Sequence, residues 1–131
     1  MRRTPHDPLA RRLRDLGLPE AASRRLALAG TPIDLAAGTE LCRKGARGTE
    51  AFLLVEGEAV VELDERAVTV GPGAVIGELA VLDAFARRNA TVRTTVPSLV
   101  LVYDVQTFRS LAASESLHAI LAPRERAATA A

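Results

Sequence analysis

From residue 31 to residue 104, apolar side chains fall in short runs separated by turn residues. Within 58–63, Ala59, Val61 and Leu63 alternate with a second, mostly acidic set. A period of two is typical of a strand with one buried face, so we expect these three side chains to point inward. Regularly spaced runs of this length predict eight strands. They cover residues 33–35, 40–42, 51–55, 58–63, 67–70, 75–77, 91–94 and 98–103.

The N-terminal residues show a helical period instead. Leu9, Leu13 and Leu16 are spaced to form one apolar face, and Gly17 is a suitable residue to end that helix. A second helix is predicted from Pro19 onward, as far as residue 30. Many of the polar positions in both helices are arginines, which we interpret as a solvated face.

The residues after the last strand also favour helices. Asp104 is a suitable N-cap for a helix over 105–112, and a last helix is predicted over 115–121. The whole pattern indicates an α+β, mainly β fold: a jelly-roll-like double sheet flanked by helices. We predict one domain, with an N-terminal helical segment, a roll with its C-terminal helices, and a tail: residues 1–30, 31–122 and 123–131.

The segment 71–92 combines features of an anion-binding site. A glycine-proline turn leads to a short apolar run, then to Gly77, and one helical turn is predicted at 79–82. Free N–H groups at the start of a helix attract anions, and a glycine lets a ligand approach the backbone. Arg88 follows about ten residues later and has the planar fork that suits phosphate.

Two motifs in this segment resemble the phosphate-binding cassette of the cyclic nucleotide-binding domain family. They are Gly77-Glu78-Leu79-Ala80 and Arg88-Asn89-Ala90-Thr91-Val92, with Ile76 where the family usually has phenylalanine. The glycine turn at 41–45 and the hairpin motif at 52–59 extend the resemblance to roughly 32–121. The resemblance implies the family's eight-stranded β-roll, also described as a double-stranded β-helix.

The resemblance also implies roles for individual residues. Glu78 is expected to accept a hydrogen bond from the ribose 2′-hydroxyl, and Arg88 to pair with the phosphate oxygens of cAMP or cGMP. The other expected ligand-binding residues are the backbone groups of Gly77 and Ala90, Asn89 in place of the usual small residue, Leu79 within the cassette, and Ala59 and Val61 beside the base.

Several alternatives remain open at the level of the sequence. Glu78 and Arg88 also suit a simple salt bridge that fixes the loop, and Arg87 competes with Arg88 for the phosphate. A roll that has lost its ligand would act as a protein-interaction scaffold, and a site blocked by Leu82 or Phe85 would favour this alternative. The arginine-rich N-terminal helices allow a contact with nucleic acid, although no aromatic residues are interleaved with the charges.

Composition narrows the function classes. The chain has 17 basic and 16 acidic residues, so it has no general attraction to nucleic acid or membranes. Its only cysteine is Cys42, and its histidines, His6 and His118, lie far apart in the sequence. Neither a clustered-histidine metal site nor a catalytic triad is indicated, so we expect no enzyme activity and no cofactor. No apolar stretch suits a membrane span or a signal peptide, and a cytoplasmic location is the default expectation.

The number of residues after the roll limits the kinds of effector module that the given chain can contain. Only 27 residues follow Asp104, too few for a long helix and a DNA-reading module. We therefore expect a stand-alone binding domain or a fragment that signals through its terminal helices to an effector protein of unknown identity. Apolar faces on those helices permit a homodimer. We expect a lid over the base to come from 121–126 or from a neighbouring chain.

Overall fold

The computed structural model describes residues 6–77 and 87–114, which form three helices and eight strands. The helices are α1 (His6–Asp15), α2 (Glu20–Ala29) and α3 (Val105–Ala113). The strands are β1 (Thr31–Leu35), β2 (Glu40–Cys42), β3 (Glu50–Glu56), β4 (Ala59–Glu62), β5 (Ala67–Val70), β6 (Val75–Ile76), β7 (Thr91–Thr94) and β8 (Ser98–Asp104).

The strands form two four-stranded antiparallel sheets, which together make up the roll. One sheet has the order β1-β8-β3-β6 and the other β2-β7-β4-β5. Neighbours within each sheet are mostly distant in sequence, as a jelly-roll path requires. The predicted mainly β roll with flanking helices is confirmed, and each predicted strand overlaps an observed one.

The central strands β3 and β8 are buried on both faces. Phe52 and Leu54 of β3 point into the roll, whereas Leu53 and Val55 point to the opposite face, against the helices. The same division holds in β8. Burial on both faces accounts for the nearly continuous apolar runs AFLLV and LVLVY, which differ from the alternating pattern of β4.

Two apolar clusters result from this arrangement. The roll-interior cluster lies between the sheets, and the helix-side cluster joins the sheet β1-β8-β3-β6 to all three helices. The roll-interior cluster contains Cys42, Phe52, Leu54, Ala59, Val61, Val70, Ile76, Ala90, Val92 and Val100. The helix-side cluster contains Leu9, Ala10, Leu13, Ala22, Leu26, Ala27, Ala51, Leu53, Val55, Val75, Leu99, Leu101, Tyr103, Phe108 and Leu111.

The end of β8 connects directly to the helices. The hydroxyl of Tyr103 donates a 2.7 Å hydrogen bond to the carbonyl of Leu26 in α2, and burial raises the pKa of Tyr103. The next residue, Asp104, caps α3, because its carboxylate accepts a 2.8 Å bond from the N–H of Thr107. That bond lowers the pKa of Asp104. The predicted N-cap is therefore confirmed.

Some predicted elements lie outside the described residues. These are the helical turn at 79–82, the last helix at 115–121 and the tail at 123–131. Within 6–77 and 87–114, no helix has the length and apolar character needed to cross a membrane.

Candidate phosphate-binding site

Among the described residues, Arg88 is the one charged side chain that is buried, with only 6% of its surface exposed. Its guanidinium donates two hydrogen bonds to backbone carbonyls. The Nη1 group bonds the Gly77 carbonyl at 2.9 Å, and Nη2 bonds the Glu50 carbonyl at 2.7 Å. Arg88 therefore points inward and joins the end of β6 to the start of β3.

Backbone pairing holds Arg88 in this position. Its N–H donates to the Ala46 carbonyl, and its carbonyl accepts from the N–H of Gly45, both at 2.8 Å. The loop between β2 and β3 thus forms a short antiparallel pairing with the residues that lead into β7. Since side chains alternate in an extended segment, Arg87 lies on the opposite side of this pairing and is exposed.

Gly77 allows the guanidinium to approach the backbone. Its φ of +84° lies in the left-handed region, where residues with a Cβ are strained. A Cβ built there would collide with Nη1 of Arg88 and lie 3.2 Å from the Glu50 carbonyl oxygen. The position that the sequence proposed as a ligand approach is therefore already used by Arg88.

The electrostatics around Arg88 are unusual for a buried cation. In residues 6–77 and 87–114, no carboxylate forms an ion pair with it; both of its bonds are to neutral carbonyls. Buried charges are normally paired, because leaving water is costly for an ion. A guanidinium has five N–H donors, and the bonds to described residues use two of them. The arrangement is suited to an anion.

The other predicted site residues divide into three groups. Ala59 and Val61 face the roll interior and are 0% and 1% exposed, as the alternation predicted. Ala90 is buried close to Arg88 in the chain, whereas Asn89 between them is exposed. Glu78 and Leu79 lie outside the described residues, so their expected contacts stay predictions, as does the alternative salt bridge between Glu78 and Arg88.

One contributor to the site was missed by the sequence reasoning. The Glu50 carbonyl accepts from Arg88, yet the glutamate side chain takes no part in this bond. A backbone carbonyl is present at every residue, so no residue type could have marked position 50. In the part of the chain that the structure covers, no group of His, Cys, Asp and Glu is arranged to hold a metal ion.

Comparisons with known proteins agree with this geometry. The sequence profile of the family described as "Cyclic nucleotide-binding domain" matches residues 32–115. The Pycsar effector protein PaPycTIR of Pseudomonas aeruginosa is 37% identical over 91 residues, which is 69% of this chain and 30% of that protein. A cyclic nucleotide-gated potassium channel of Rhizobium etli is 33% identical over 97 residues, 74% of this chain and 27% of the channel. The chain thus spans less than a third of each of these relatives.

Solved structures share the fold. A structure from a study of a cyclic-GMP-dependent signalling pathway in bacterial phytopathogenesis superposes with a TM-score of 0.70 at 26% identity, covering 79% of this chain and 88% of that one. A cyclic nucleotide-binding-like protein from Brucella abortus gives a TM-score of 0.59 at 30% identity, covering 79% and 96%. The chain belongs to the cyclic nucleotide-binding domain family.

Proposed function

We propose that the chain is a sensor that binds cAMP or cGMP at Arg88 and reports occupancy through its terminal helices. The observation that carries this proposal is the buried guanidinium of Arg88, which, among the described residues, uses two of its five N–H donors and has no carboxylate partner. A cyclic phosphate carries a single negative charge and two exocyclic oxygens, which match the planar fork of an arginine.

The ligand would extend from Arg88 toward the roll interior. Ala59 and Val61 are small apolar side chains buried in that interior, and Ala90, directly before β7, belongs to the same cluster. We assign the ribose hydroxyl to Glu78, which follows Gly77 directly in the chain.

Isothermal titration of the purified chain with cAMP and cGMP tests binding. We expect saturable binding to one site per chain for at least one of the two nucleotides. AMP, which lacks the cyclic ester, is the control and should bind at least about tenfold more weakly. An absence of heat, together with no thermal shift at millimolar nucleotide, would contradict the proposal and favour the ligand-free scaffold.

A short route leads from Arg88 to the helices. Arg88 bonds the Glu50 carbonyl, and Glu50 pairs with Asp104 in the β3–β8 register. Asp104 caps α3, and the hydroxyl of its neighbour Tyr103 donates a hydrogen bond to the Leu26 carbonyl of α2. We infer that a phosphate bound to Arg88 weakens or redirects the hydrogen bond from Arg88 to the Glu50 carbonyl. That change would shift the preferred position of α3. At the far end of α3, Arg25 of α2 bonds the Ser114 hydroxyl at 3.3 Å, so both helices respond together.

Hydrogen exchange with and without nucleotide tests this route. The amides of Thr107 and Phe108, in the first turns of α3, should change their exchange rates by about fivefold or more when the site is occupied. The same measurement on the Arg88→Ala variant, which we expect to bind nucleotide too weakly to fill the site, serves as the reference. If exchange rates change only at the residues around Arg88, the nucleotide binds but the proposed route to α3 is contradicted.

A further inference from the structure

Two arginines lie directly opposite each other where the loop between β2 and β3 pairs with the residues before β7, on the side away from the Arg88 guanidinium. Arg47, in the loop between β2 and β3, forms an isolated antiparallel bridge with Arg87. Both side chains are exposed. Because Arg88 faces the opposite side of the same extended segment, this Arg47–Arg87 pair occupies the outer surface of the wall that holds the candidate phosphate site.

The hydrogen-bond pattern brings the two side chains close together. The N–H of Arg88 donates to the Ala46 carbonyl at 2.8 Å, so the bond flanks the Arg47–Arg87 pair instead of joining it. Antiparallel pairs of this non-hydrogen-bonded type have Cα atoms about 4.5 Å apart and the closest side chains. Like charges directly opposite one another destabilise a ladder. The bridge therefore sets two positively charged residues directly opposite each other, an arrangement that disfavours the pairing.

Neighbouring cations are compensated, in contrast to this pair. Arg43 pairs with Glu40 at 3.1 Å, and Lys44 pairs with Asp64. Among the described residues, neither Arg47 nor Arg87 forms an ion pair or side-chain hydrogen bond. The repulsion within the bridge is therefore not relieved by a carboxylate from the described part of the chain.

We propose that the Arg47–Arg87 pair is a docking point for an acidic segment of a partner protein. Two carboxylates, or one shared between the guanidiniums, would satisfy both forks and remove the repulsion. The chemistry favours a peptide over nucleic acid, because the patch offers only two apposed charges, whereas stable binding to a duplex neutralises many phosphates. The proposal does not depend on nucleotide binding, although the same backbone carries both surfaces.

A double-mutant cycle tests the repulsion. Arg47→Gln and Arg87→Gln should each raise the melting temperature by about 1–3 °C at low salt, and the double variant should gain less than the sum. The gains should shrink as salt screens the charges. Arg66→Gln, at an exposed arginine outside the bridge, is the matched control and should leave the melting temperature unchanged. Strictly additive effects, or destabilisation by both single changes, would overturn the proposed repulsion.

A peptide titration followed by NMR tests the docking. Hexaglutamate should shift the backbone amides at 45–48 and 87–89, and each of the Arg47→Gln and Arg87→Gln variants should weaken its binding by about threefold to fivefold. Hexaglutamine and the Arg66→Gln variant are the controls. Shifts centred on the arginines of α1 and α2, or tighter binding of a DNA duplex than of the peptide, would overturn an acidic protein segment as the occupant. Both tests are done without nucleotide, so they stand apart from the nucleotide titration.

Discussion

Replacement of Arg88 by alanine is expected to weaken cyclic nucleotide binding by about 100-fold or more. The change removes the charged group that we assign to the phosphate, and truncating one partner of a buried charge pair commonly costs a few kcal/mol. Arg88→Lys keeps the charge but loses the fork, so it should recover only part of the affinity. Isothermal titration of the three proteins measures the series.

The Arg88 variants need a check of folding, because Arg88 also bonds the carbonyls of Gly77 and Glu50. We expect the melting temperature to fall, since hydrogen bonds from a charged donor each contribute about 1.5–3 kcal/mol. Arg87→Ala is the neighbouring comparison and should keep nucleotide affinity within about threefold. If Arg87→Ala loses the larger share of affinity, the phosphate role belongs to Arg87 instead.

Gly77→Ala is expected to abolish measurable nucleotide binding and to destabilise the fold by about 2–3 kcal/mol. The added methyl group would occupy the space of the Arg88 guanidinium, which must then leave the Gly77 and Glu50 carbonyls. The left-handed backbone at residue 77 adds about 1–2 kcal/mol of strain. Titration measures the affinity, and urea unfolding measures the stability.

Gly73→Ala separates the two contributions. Gly73 also has a positive φ, of +96°, but a Cβ there would meet no atom within 4 Å. This variant should therefore show the backbone strain alone and keep its affinity for nucleotide. If Gly73→Ala and Gly77→Ala lose stability equally and both keep nucleotide binding, the contact between residue 77 and Arg88 has no part in the site.

The strands could be predicted from sequence because each carries its own apolar pattern. The alternation in β4 placed Ala59 and Val61 inside, and the structure agrees. β3 extends beyond the predicted run at both ends, through Glu50 and Glu56, and β4 begins one residue later than expected. These end residues are set by pairing with neighbouring strands, which a local pattern does not contain.

The candidate site was predictable only in part. Arg88 and Gly77 were found through their motif, and the structure brings them together. The carbonyl of Glu50 and the apposition of Arg47 with Arg87 were not found, because both depend on a loop 38 or more residues away in the sequence folding against the cassette. Contacts of this kind arise from tertiary pairing, and the identity of the residues involved does not indicate which distant segment they will contact.

The adjacency of Arg87 and Arg88 restricts how this region can vary. Their side chains emerge on opposite sides only because they are consecutive in an extended segment. Loss of a single residue between Arg88 and β7 would move Arg87 to the inner position and Arg88 to the outer one, since the side-chain period is two. Natural variants of this domain should therefore accept exchanges of amino acid here more readily than changes in length.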